Sequence, residues 1–222
     1  MPYIAPVLTV DSVIFQLVDN ELCVLLVRRS HAPFKGHLAL PGGYNAQGET
    51  TSECMERILH TKAGVMPNDL RLIEQLYTFD TIARDPRGHA VSVTYMGLGK
   101  DIIPTENTRT ESPGFYPVTA LPDVAYDHAD IIGYAHQRLA AKITYTNAIY
   151  AMLDTYFTLT QLQIAYEAVF GKELDKRNFR KKFLSLDLVR ATEEYRRDGA
   201  HRPARLYTFK QQKLQTLLRS FD

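Results

Sequence analysis

Over the first 120 residues the apolar positions fall in short β-branched runs, and beyond residue 127 they recur at helical spacing. The runs "VLTVDSVIFQL" and "ELCVLLVRR", separated by "VDN", predict a hairpin, and "RLIEQLYTF" with "AVSVTYMGL" predicts a second strand pair. Between the pairs, "TTSECMERILHTKAGV" brings Cys54, Met55, Ile58, Leu59 and Ala63 to one helical face, with Gly64 placed to close the helix. "IIPTENTRTESPGFYPVTALPD" mixes Pro, Thr and Glu and reads as loops around a short strand. A linker helix is expected at about 127–142, because Ile131, Ile132, Ala135, Leu139 and Ile143 form one apolar stripe. In the remaining chain, Thr158 and Gln161 form a capping box for a helix that stops at Gly171. Asp175 then caps a second helix, and "LVRATEEYRRDGAHRPARLYTFK" supplies two strands around Asp198-Gly199.

With 45% hydrophobic and 23% charged residues over 222 positions, the chain can bury two cores, and disorder is excluded as its main state. Cys23 and Cys54 are too few for a disulfide framework or a cysteine zinc site. No basic segment precedes the first apolar run, and no stretch approaches the roughly 18 apolar residues that cross a bilayer. A cytoplasmic protein without membrane contact is therefore expected. Its net charge of +1 hides an asymmetry: residues 1–130 hold 10 Lys+Arg against 16 Asp+Glu, or −6, and residues 131–222 hold 16 against 9, or +7. The basic part alone suits a polyanion partner.

The stretch "PGGYNAQGETTSECMERILHTKAGV" resembles the Nudix box, with Gly43, Glu49, Arg57, Leu59, Gly64 and Val65 in register and "LPGG" leading into the loop. The resemblance implies an α/β (α+β) Nudix-like sandwich over residues 1–142. Where the family carries three glutamates that hold Mg²⁺ or Mn²⁺, this chain has Ile58, Thr61 and Lys62. Hard cations need oxygen ligands, so neither a metal site nor a set of catalytic residues is expected, and no cofactor is called for. Lys62 lies on the former ligand face, where it either contacts a phosphate or is a solvated surface lysine. The turn "RDPRG" resembles a segment of Nudix proteins that handle ADP-ribose-like compounds, and its arginines suit bidentate bonds to a diphosphate. Arg28 and Arg29 invite the same reading, although strand alternation lets only one of them face a pocket. The expected effector-contacting set is Arg28, Arg29, Gly43, Glu49, Arg57, Lys62, Arg84, Asp85 and Arg87.

Helix, turn, helix and hairpin over residues 143–222 is the order of a winged helix-turn-helix domain. On its second helix Phe179, Phe183 and Leu186 share a narrow arc, and Arg177, Asn178, Lys181 and Ser185 lie opposite. Base-edge or phosphate contacts to double-stranded DNA are expected from Lys176, Arg177, Asn178, Arg180, Lys181 and Lys182, and from Arg202 and Arg205 near the wing tip. This segment is similar to the C-terminal reader of the Nudix-related transcriptional regulators. That resemblance implies a homodimeric repressor of NAD or sugar metabolism genes, controlled by an ADP-ribose-like nucleotide or a pentose bound in a catalytically degenerate Nudix domain. The alternatives are an active Nudix hydrolase of ADP-ribose or a related nucleoside diphosphate derivative, and a module whose basic face meets an acidic protein.

Overall fold

The computed structural model describes residues 3–106, 111–197 and 203–217. Strand β1 (Val7–Val18) turns through Asp19 and Asn20, both at positive φ, into β2 (Glu21–Arg28), which is the two-residue hairpin geometry that matches strand twist. β3 (Leu38–Ala39), β4 (Gly42–Tyr44), β5 (Leu70–Phe79), β6 (Ala90–Gly99) and β7 (Glu111–Pro117) complete a mixed sheet in the order β3-β2-β1-β6-β5, with β4 on β1 and β7 on β2. β1 and β6 run parallel from Val7 opposite Ala90 to Phe15 opposite Leu98.

Alternation along β1 and β2 sends their apolar residues to both faces of the sheet. Val10, Ile14, Leu25 and Val27 point to one face, where they bury Cys54, Met55, Ile58, Leu59 and Ala63 of helix α1 (Thr51–Ala63). Val13, Phe15, Leu22, Val24 and Leu26 point to the other, against Ile131, Ala135, Leu139 and Ile143 of helix α2 (His128–Tyr145). A sheet covered on both faces carries apolar residues on both, and the polar residues it buries, Thr9, Asp11, Ser12 and Gln16 of β1, stand between them. α1 begins with a capping box of Thr50 and Glu53 and ends at Gly64, whose φ of 65° is the left-handed closure expected of it. The helix expected at 127–142 runs on to Tyr145.

The second core element set is α3 (Leu159–Phe170), α4 (Lys176–Ser185) and a three-stranded sheet in the order β8-β10-β9, formed by β8 (Phe157–Thr158), β9 (Val189–Arg196) and β10 (Ala204–Phe209). Thr158 and Gln161 make the predicted capping box, Gly171 closes α3 at positive φ, and Asp175 accepts from Asn178 N at the start of α4. Leu186 corrects the predicted apolar arc: α4 stops at Ser185, and the Leu186 side chain turns outward beyond it. The sequence reading missed β3, β4, β8 and the buried 3₁₀ turn Ala148–Met152, because each is too short to display a period. The turn at Asp198-Gly199 lies outside the described residues. One apolar cluster runs from β1 and β2 through α2 into α3, Phe183 of α4 and Phe209 of β10, so the two parts share a continuous core.

Candidate functional site

The ends of β1 and β2, the loop after β2, β4, α1 and the turn between β5 and β6 enclose a cleft of about 670 Å³, a volume suited to a nucleotide-sized ligand. At its floor lies a buried polar network. Arg84 donates from Nε and Nη2 to the two carboxylate oxygens of Asp127, both at 2.9 Å, and from Nη2 to Asp11 Oδ2 at 3.3 Å. Asp11 also accepts from Ser92 Oγ at 2.6 Å. His128 accepts Leu40 N–H at Nδ1, which leaves its proton on Nε2, 3.7 Å from Asp11 Oδ1. Burial holds the His128 pKa below the ordinary histidine value, so the ring stays neutral there. Gly42 is required beside this network, since a Cβ would stand 1.8 Å from Asp11 Oδ1.

The walls are cationic and aromatic. Both Arg28 and Arg29 line the cleft, which corrects the expectation that only one could: β2 ends at Arg28, so Arg29 is already in the loop and free of strand alternation. Arg28 donates to the Gly36 carbonyl and Arg29 to those of Pro33 and His31, which ties the loop after β2 to the two arginines. Arg29 stacks 4.8 Å from the Tyr126 ring centre. Arg87 lies over Tyr44 and Tyr126 while gripping Asp85 through Nε and Nη2, and this pair pulls the Asp85 carboxyl below its usual range. Tyr126 Oη is buried with no hydrogen-bond partner among the described residues.

On α1 the box residues act on one another. Arg57 donates from Nε to Glu49 Oε2 at 2.9 Å and from Nη2 to the Tyr44 carbonyl at 3.0 Å, clamping loop to helix. That pairing holds the Glu49 carboxyl at a pKa of about 2. The positions that would hold a divalent cation do not fit one. Ile58 is buried against Gly43, the Thr61 hydroxyl donates to the Arg57 carbonyl at 2.7 Å, and the Lys62 ammonium donates to the Gly42 carbonyl. Glu53 is taken by the cap of its own helix. Among the described residues no group of three or more His, Cys, Asp and Glu side chains could hold a metal ion. Of the two readings of Lys62, solvated surface lysine is excluded: its side chain is half-buried and lines the cleft.

The second surface is on α4. Lys176, Arg177, Asn178, Lys181 and Lys182 are exposed, while Phe183 is buried and stacks on Phe179 at 5.8 Å under Tyr166. Arg180 is half-buried and its Nη2 donates to Thr160 Oγ1 at 2.9 Å, so it ties α4 to α3. Arg205, the second residue of β10, is exposed and held by the Thr192 carbonyl and Glu193. Arg202 lies outside the described residues.

Residues 7–134 match the NUDIX domain family and residues 149–209 match the NrtR DNA-binding winged helix domain. The ADPR responsive transcriptional repressor NtrR of Acinetobacter baylyi is 34% identical over 93% of this chain and 83% of its own. The chain belongs to the NrtR family of Nudix-domain transcriptional repressors. NrtR of Shewanella oneidensis, solved with a 27mer DNA, superposes at a TM-score of 0.75 with 33% identity, covering 91% of this chain and 93% of that one. The Nudix domain of the same protein, solved with ADP ribose, superposes at 0.56 with 36% identity over 62% of this chain and 90% of its own. An ADP-ribose pyrophosphatase of Methanocaldococcus jannaschii is 35% identical over 59% of this chain and 73% of its own.

For this NrtR-family chain the structure brings Arg28, Arg29, Gly43, Arg57, Lys62, Arg84, Asp85 and Arg87 to one cleft, while Glu49 stands behind Arg57. Sequence reading missed Asp11, Tyr44, Tyr126 and His128. A charged residue between the buried apolar positions of β1 was the available signal for Asp11. None of the described helices is long and apolar enough to cross a membrane.

Proposed function

We propose that this protein is a DNA-binding transcriptional repressor in the cytoplasm, working as a homodimer, whose affinity for its operator is set by an ADP-ribose-like effector in the Nudix cleft, and that it does not hydrolyse that effector. One observation carries the reading: a Nudix box with its spacing intact has Ile58, Thr61 and Lys62 at the cation-holding positions, on a chain that also presents an exposed basic α4. The cleft retains cations and aromatic rings suited to a diphosphate and a base, and it has lost the carboxylates that would hold Mg²⁺ and so arm a water molecule. The ADP ribose in the Shewanella oneidensis Nudix domain and the 27mer DNA on the full relative supply the two ligand classes.

The residue assignments follow that reading. Arg28, Arg29, Arg57, Lys62 and Arg87 face the effector; Gly43 and Glu49 shape the box loop; Arg84 and Asp85 fix the floor and the Arg87 rotamer. On α4, Arg177, Asn178 and Lys181 enter the groove, and Lys176, Lys182, Arg202 and Arg205 contact phosphates. Hydrolysis of ADP-ribose is the second reading, favoured by the likeness to the pyrophosphatase. The test uses the full chain and a duplex selected from a random pool. ADP-ribose changes the duplex affinity by about 5- to 150-fold, the range of ordinary allosteric coupling, and incubation with Mg²⁺ or Mn²⁺ releases no AMP. An unchanged affinity rejects the effector role, and metal-dependent AMP release rejects the inactive site.

A further inference from the structure

The disagreement between the box and its lost cation leaves a positive charge of a different kind at the same place. Positions 58, 61 and 62 lie at i, i+3 and i+4 and so share the helix face that the metal-holding carboxylates would occupy. Ile58 closes the base of that face against Gly43, and the Lys62 side chain reaches over it to the Gly42 carbonyl at the edge of β4. Lys62 thus lines the cleft together with Arg28, Arg29, Arg57 and Arg87. These cations are not equivalent. Arg57 is neutralised by Glu49, and Arg87 by Asp85. Arg28 and Arg29 donate to backbone carbonyls, which leaves their charge uncompensated by those bonds.

Resting on the reading of this cleft as an effector site, we propose that the Lys62 ammonium takes the electrostatic part of the divalent cation, so that the diphosphate bridge of the effector binds to Lys62, Arg28 and Arg29 without any metal. A diphosphate bridge carries a negative charge on each phosphorus, and enzymes of this shape meet it with Mg²⁺ held by carboxylates. A half-buried ammonium offers a compact point charge with donors that rotate to meet an anion, on a stem long enough to reach it from α1. Burial, and the arginines at positions 29, 57 and 87, push the Lys62 pKa below the ordinary lysine value, and Asp11 acts in the other direction. An anion arriving in the cleft relieves both effects, so binding and the charged form of Lys62 favour each other. The exchange also accounts for the loss of hydrolysis: an ammonium neutralises charge but supplies no bound hydroxide.

Calorimetry on the full chain with ADP-ribose tests this, once in EDTA and once in Mg²⁺. The wild-type affinity is expected to be the same within about threefold, or weaker in Mg²⁺, which competes with Lys62 for the same oxygens. Lys62→Met and Lys62→Gln are expected to lose about tenfold or more in both buffers, the size of a lost charge-assisted bond, and Lys62→Arg to retain most of the affinity. Thermal melts confirm that each variant is folded. ADP-ribose binding that needs Mg²⁺, or that survives in a folded Lys62→Met or Lys62→Gln protein, overturns the role of Lys62 and leaves the effector site standing. No binding to the wild type in either buffer overturns both.

Discussion

Glu49 and Arg57 illustrate how a motif residue can be right in identity and different in task. Their spacing in the box marks them as functional, yet their side chains bind each other, eight residues apart, and lock the loop onto α1. The pairing lowers the Glu49 pKa from 4.5 to about 2. Because the folded value is depressed, the clamp is at full strength above about 4.5 and is lost as pH falls toward 2. Carboxyl NMR is expected to show Glu49 titrating near 2 in the wild type and moving back toward the ordinary glutamate range in Arg57→Gln. A Glu49 that titrates normally in the wild type removes the clamp. Gly43, Glu49, Arg57, Gly64 and Lys62 were readable from the resemblance to the Nudix box, since one loop and one helix hold them together. Asp11, Tyr126 and His128 were not, because they come from β1 and from the entry to α2, separated in sequence by more than a hundred residues.

At the scale of elements, α4 has a buried apolar face and an exposed basic one, and each face predicts its own kind of failure. Phe183 is 3% exposed and packs under Tyr166 and against Phe209, so Phe183→Ala is expected to cost about 3–5 kcal/mol and to be seen as a lower melting midpoint. Arg177→Ala and Lys181→Ala remove exposed side chains. Each is expected to leave the midpoint unchanged and to weaken duplex binding by about 1–3 kcal/mol, measured by fluorescence anisotropy. Wild-type affinity in both variants removes α4 as the reader. The periodicity of "DKRNFRKKFLSL" was enough to separate these faces, but it carried the apolar arc one turn too far: Leu186 caps the helix, and its side chain is 38% exposed. Periodicity records which residues would share a face if a helix continued, and the Leu184 and Phe183 carbonyls that close α4 are not in that record.

Across the whole molecule, α2 connects the two sites. Asp127 stands at its N-cap but makes no side-chain cap, and its carboxylate accepts instead from Arg84 at the floor of the cleft. Further along, His136 Nε2 bonds the Val169 carbonyl of α3 at 2.7 Å, and Lys142 pairs with Glu74 of β5. An effector that draws Arg84 away would release Asp127 to cap α2, a change of about 1 kcal/mol in the helix that seats α3. In Asp127→Asn, therefore, ADP-ribose is expected still to bind, while its effect on DNA affinity shrinks severalfold. An unchanged ratio of DNA affinities with and without ADP-ribose rules out this route. The sequence by itself determined the two-part plan and the basic helix, because each is a matter of local period or residue chemistry, and its resemblance to the Nudix box marked the missing cation ligands. Only the tertiary structure decided which arginines line the cleft and which partner holds each: Asp85 for Arg87, Asp127 for Arg84 and Thr160 for Arg180. That choice depends on strand ends, helix entries and buried partners brought together from distant parts of the chain, where burial makes an unpaired charge costly and so dictates who pairs with whom.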